Sequence, residues 1–95
     1  MSIYFLSYHA IPKETNVPEV GGAYINCWID AADLETAKNI STNKIKDLNW
    51  QINNLKESYL VSEKEYENKP EGLEYYQQAK LDKEVYVLHT YPVED

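Results

Sequence analysis

Residues 23–31 (AYINCWIDA) alternate without a break: Ile25, Cys27 and Ile29 take one parity, and Tyr24, Asn26, Trp28 and Asp30 the other. Alternation of that length predicts a β-strand with one apolar and one mixed face. Residues 3–11 (IYFLSYHAI) are rich in β-branched and aromatic side chains and stop at Pro12, which predicts a strand before it. Between the two, residues 12–22 hold two prolines and a Gly-Gly pair with no apolar period. That stretch reads as a loop, long for a hairpin connection.

Leu34, Ala37, Ile40 or Ser41, Ile45 and Leu48 then recur at helical spacing, with Asp30 or Asp33 placed to cap the helix. Lys38, Lys44 and Lys46 lie in its body and last turns, where they favour the negative end of the helix dipole. In residues 49–61 (NWQINNLKESYLV), Trp50 and Ile52 share one parity while Leu55, Tyr59 and Val61 share the other. A strand that switches parity needs a bulge or bend, here near Asn53-Asn54. Ser62-Glu63-Lys64-Glu65 matches a capping box and predicts a short helical turn through Tyr66. Pro70-Glu71 opens a second helix, with Leu73, Tyr76 and Ala79 or Lys80 inward. Residues 85–93 form the last predicted strand, and Pro92 near its end argues for termination there or an edge position.

The order is strand–strand–helix–strand–helix–strand over a single domain spanning residues 1–95. Helix crossovers join parallel strands, whereas the first pair, joined by a loop, is expected to be antiparallel. The expected fold is an α+β two-layer sandwich of ββαβαβ order. It has a mixed four-stranded sheet with both helices on one face, broadly of ferredoxin-like type. Its other face is then left to water or to a partner.

Composition sharpens that picture. The chain has nine tyrosines against one phenylalanine. Tyrosine suits surfaces that are apolar on one side and wet on the other. The open face is therefore the favoured interface, carried by Tyr24, Asn26, Trp28 and Asp30, with Tyr8 on the neighbouring strand. The formal charge is −7 and no arginine is present. Such a chain repels phosphate backbones and lacks the bidentate reader of phosphate and guanine, so nucleic acid is not an expected partner. Acids concentrate after residue 57, where Glu63, Glu65, Glu67, Glu71 and Glu74 form an acidic edge interrupted by Lys64 and Lys69. A solvated helix surface explains them; a docking edge for a basic partner is the sharper reading.

The candidates for chemistry are sparse. His9 and His89 lie on separate strands without metal-ligand spacing, so each is expected to make a structural hydrogen bond. Cys27 is the one cysteine, on the apolar parity, which excludes an internal disulfide and points to an inert core thiol. Gly21-Gly22 lacks the following helix and the Lys-Ser/Thr of a phosphate loop. No metal or cofactor is expected. The apolar start of the chain has no preceding positive charge and is too short to span a membrane, so a cytoplasmic protein is expected. The resulting expectation is a small acidic binding protein of inhibitor, immunity or antidefence type, without catalysis, whose partner is another protein. A homodimer joined through the open face is compatible with it. The alternative is a small-molecule-binding domain or minor enzyme with a tyrosine-rich pocket that uses His9 or His89. A concave site with converging polar groups favours the pocket, and a broad shallow aromatic patch favours the protein partner.

Overall fold

The computed structural model describes residues 2–13 and 20–92. Its elements are β1 (Ser2–Pro12), β2 (Gly22–Ala31), α1 (Leu34–Asp47), β3 (Trp50–Val61), a 3-10 turn (Glu63–Tyr66), α2 (Pro70–Asp82) and β4 (Glu84–Tyr91). The loop expected over residues 12–22 lies mostly outside the described residues. The result is an α+β fold with a four-stranded sheet in the order β3-β1-β2-β4.

Local chemistry explains the ends of the helices. Asp33 Oδ1 accepts the Thr36 backbone N–H at 2.7 Å and starts α1, and this bond holds the Asp33 carboxyl below its ordinary range. Pro70 opens α2, and Lys83 closes it in the left-handed conformation (φ 76°), donating its N–H to the Ala79 carbonyl at 2.8 Å. The Ser62 side chain makes no capping bond, so the expected capping box is reduced to a backbone turn in which Glu65 N–H donates to the Ser62 carbonyl.

Every strand pair is antiparallel, which corrects the expected mixed sheet. β2 and β3 do run in the same direction on either side of the α1 crossover, but β1 lies between them and no parallel ladder forms. The order is not clearly ferredoxin-like. The helix placement is corrected as well. Ala37 and Ile45 of α1 pack with Leu6, Tyr8, Ala10, Ile25, Cys27 and Ile29. Ala79 of α2 packs with Ile3, Phe5, Trp28 and Val61, residues of the opposite parity on β1 and β2. The two helices therefore cover opposite faces.

The physical reason is visible in β1. As an inner strand it buries Ile3 and Phe5 on one side and Leu6, Tyr8 and Ala10 on the other, so its apolar residues run almost continuously instead of alternating. A sheet with apolar residues on both faces cannot leave one of them to water. Trp28, expected on an open surface, is 5% exposed. It packs 5.1 Å from the Phe5 ring and 4.9 Å from the Tyr75 ring, and its indole N–H donates to Tyr66 Oη at 2.9 Å. Tyr8 is buried on the α1 side, where its hydroxyl and that of Ser41 are 2.7 Å apart. Both are core residues and not part of an open surface.

The parity switch in β3 resolves into two bulges. Register passes from Ser7↔Glu57 to Tyr8↔Leu55, and from His9↔Asn54 to Ala10↔Ile52, which leaves Lys56 and Asn53 as the extra residues. β4 stops at Tyr91 and occupies an edge of the sheet, as Pro92 led one to expect.

Replacing Trp28 by Ala is expected to reduce unfolding free energy by about 3–5 kcal/mol, the usual cost of removing a buried Trp. Denaturant titration measures this, and a near-wild-type transition would contradict the burial. Cys27 is expected to resist thiol reagents until the chain unfolds.

Candidate functional site

α2 covers only the part of its sheet face that carries Ile3, Phe5, Trp28, Val85 and Val87. Farther along the same face, His9, Tyr24 and His89 stand in one row across β1, β2 and β4, since His9 pairs with Tyr24 and Tyr24 with His89. Tyr91 opposes Gly22 one step beyond. A side chain at Gly22 would overlap the Tyr91 ring and come within 2.9 Å of the Ala10 carbonyl oxygen. Its absence lets Tyr91 lie across β2 and reach His9 on β1.

Three rings meet there. His9 and Tyr91 are nearly parallel (10°) with centroids 5.9 Å apart, and Tyr24 lies 5.1 Å from His9 and 5.7 Å from Tyr91. His9 Nε2 and Tyr91 Oη are 2.6 Å apart. On the other side of the imidazole, Asn53 Nδ2 lies 3.0 Å from Nδ1. With the amide N–H donating to Nδ1, the ring carries its proton on Nε2 and donates it to Tyr91 Oη. The tyrosine's own O–H is then free to donate to a further acceptor. Lys56 Nζ lies 5.6 Å from the centre of the Tyr24 ring, within cation–π range. Both bulged residues of β3 thus reach this one cluster, Asn53 at His9 and Lys56 at Tyr24. Bulges commonly re-aim side chains beside functional sites.

The cluster lines a concavity of about 760 Å³, bounded by His9, Gly21, Tyr24, His89, Thr90, Tyr91 and Pro92. A second concavity of about 340 Å³ shares His89 and continues past Asn26 to Lys69 and Glu71 at the start of α2. Between them, Ser7 Oγ donates to Asn26 Oδ1 at 2.8 Å.

The expected site residues are therefore dispersed. Tyr24 is exposed and Asn26 half-buried in the uncovered stretch, whereas Trp28 and Tyr8 are core residues. Asp30 lies at the far end of β2, where its carboxylate is 3.4 Å from Lys83 Nζ. Glu63, Glu65, Glu67, Glu71 and Glu74 are all exposed around the 3-10 turn and α2. Glu63, Lys64, Glu67 and Leu73 outline a further concavity of about 460 Å³. His9 and His89 share one depression but take different places in it, His9 in the hydrogen-bonded floor and His89 on the exposed rim. Among the described residues no three His, Cys, Asp or Glu side chains cluster as a metal would require. No helix there is long and apolar enough to cross a membrane. Burial pushes the Cys27 thiol far above its ordinary range, with Glu84 adding to the shift, which makes it unreactive.

Tyr91 and Lys56 were not singled out from the sequence, and Asn53 only as the place of a bulge. The available signals were the parity switch at Asn53-Asn54, the Gly21-Gly22 pair and the surplus of tyrosine. No family model matches the chain, and no curated protein or solved structure is significantly similar to it. The site is read from its own geometry.

Gly22→Ala is expected to unseat Tyr91 and cost about 1–3 kcal/mol, the range for overpacking a tight contact. NMR of the His9 ring is the direct check, because unchanged ring resonances would contradict the seating of Tyr91 over Gly22.

Proposed function

We propose that the protein is a non-catalytic binding module that accepts a small planar ligand in the depression formed by His9, Tyr24 and Tyr91. The observation that carries this reading is the convergence of both β3 bulge residues on that ring cluster. Two extra residues are inserted into one strand, and their side chains orient the imidazole and cover the tyrosine. A volume of about 760 Å³ suits a small ligand. The ring walls offer stacking surfaces. Tyr91 O–H is a donor in the wall of the depression, so the ligand presents an acceptor, a carbonyl or carboxylate oxygen beside its ring.

A protein partner is the second reading, favoured by the exposed carboxylates Glu63, Glu65, Glu67, Glu71 and Glu74 in and around the 3-10 turn and α2. A basic partner docked there is expected to engage the 3-10 turn and α2 rather than His9, Tyr24 and Tyr91. The two readings therefore separate by location.

The test is a ligand-observed and protein-observed NMR screen of small aromatic carboxylates and amides. Binders are expected to shift His9, Tyr24 and Tyr91. Tyr91→Phe is expected to weaken them about two- to tenfold, the loss of one hydrogen bond worth roughly 0.5–1.5 kcal/mol. A screen in which no compound shifts those residues would sink the pocket reading.

A further inference from the structure

The two edges of the sheet are built differently. β3 is interrupted by two bulges and carries Lys56 and Glu57 at its middle. Bulges and mid-strand charges are the usual devices that keep an edge strand from pairing with another chain. β4 has neither. It keeps an unbroken register with β2 from Glu84 to the Tyr91 end, and between residues 85 and 91 it has no Lys, Arg, Asp, Glu or Pro. Both its ends are tied to β2: Asp30 N–H donates to the Lys83 carbonyl and Gly21 N–H to the Tyr91 carbonyl, each at 2.8 Å. The result is an unbulged edge, tied at both ends, whose outer main-chain groups meet no other strand among the described residues. Leu88 stands exposed along it.

We propose that β4 is an interface between two copies of this chain, paired antiparallel about a two-fold axis at Leu88 to give one continuous eight-stranded sheet. The strand is its own complement in that register. Leu88 meets Leu88, Val87 lies beside His89, and Val85 lies beside Tyr91, with no like charges opposed. An isologous contact requires such self-complementarity, and antiparallel addition to an edge supplies its main-chain hydrogen bonds. A basic peptide fits less well, because the strand between its ends has no carboxylate to receive it. The pairing also acts on the depression described above. His89 and Tyr91 form its outer rim, and on that face they would adjoin Val87 and Val85 of the second copy, which closes the open side. The pairing does not depend on the small-ligand reading and can be measured without any ligand.

The experiment is light scattering coupled to size exclusion on the full chain, at low and high sodium chloride. Wild type is expected to approach twice the 11.1 kDa chain mass. Association is expected to strengthen with salt, because two chains of −7 repel each other until screened. Leu88→Lys places two ammonium groups opposite one another and is expected to weaken the dimer about tenfold or more. Leu60→Lys, on the exposed part of the β3 edge, should leave it intact. Should Leu88→Lys lose its circular dichroism signal, Thr90→Glu, exposed on the same face, stands diagonal to Glu84 of the second copy in this register and is expected to weaken the dimer in the same way. A monomer at every concentration and salt would overturn the proposal. So would a dimer broken by Leu60→Lys but not by the β4 variants.

Discussion

β1 runs through the interior of the sheet with β3 on one side and β2 on the other, and it must bury side chains in both directions. That constraint organises the molecule. Leu6, Tyr8 and Ala10 call for cover on one face, Ile3 and Phe5 on the other, and each face receives one helix. Two helices of 14 and 13 residues reach about 20 Å each, whereas a strand of 11 or 12 residues reaches closer to 40 Å. Neither helix can therefore cover the whole length of its face. The uncovered length on the α2 side is where His9, Tyr24 and Tyr91 come together.

The tyrosine surplus follows from the same geometry. With the hydrophobic material divided between two thin cores, most tyrosine rings keep some exposure, Tyr8 being the buried exception. Tyrosine fills such positions because its hydroxyl can reach a partner at the margin. Tyr8 meets Ser41, Tyr66 accepts from Trp28, Tyr75 donates to Glu71, Tyr86 donates to Glu84, and Tyr91 meets His9. Burial raises the Tyr8 and Tyr86 hydroxyls above the ordinary tyrosine range, with the Glu84 carboxylate adding to the shift at Tyr86. Their role is to finish the cores. Tyr24, Tyr59 and Tyr91 are the ones left facing outward from the α2 side, and two of the three belong to the candidate site.

The bulges in β3 connect fold to site. An uninterrupted β3 would turn alternate side chains toward the α1 core and give Asn53 and Lys56 no common target. Inserting one residue at each place sets both on the same side, one against an imidazole and the other over a phenol ring. The same insertions interrupt the outer edge of β3, while β4 keeps an unbroken register.

From its pattern alone the sequence determined the elements. Period-two runs, helical spacing, Asp33, Pro70 and Pro92 mark where strands and helices begin and end, because backbone preference and capping act over a few residues. The parity switch at Asn53-Asn54 even marked a bulge. The sequence did not determine which face each helix covers, because that depends on β1 lying between β2 and β3, a long-range pairing. Trp28 shows the difference: its parity was legible and its burial was not. Without strand order, the mixed side of β2 looks like a surface, although the continuous apolar run of residues 3–6 indicated that both faces needed cover. The candidate site was partly visible in Tyr24, His9 and His89, but its assembly was decided in three dimensions. Tyr91 reaches His9 across 82 positions of sequence and only over Gly22. Such a contact is created by register, and register is settled by the whole sheet at once.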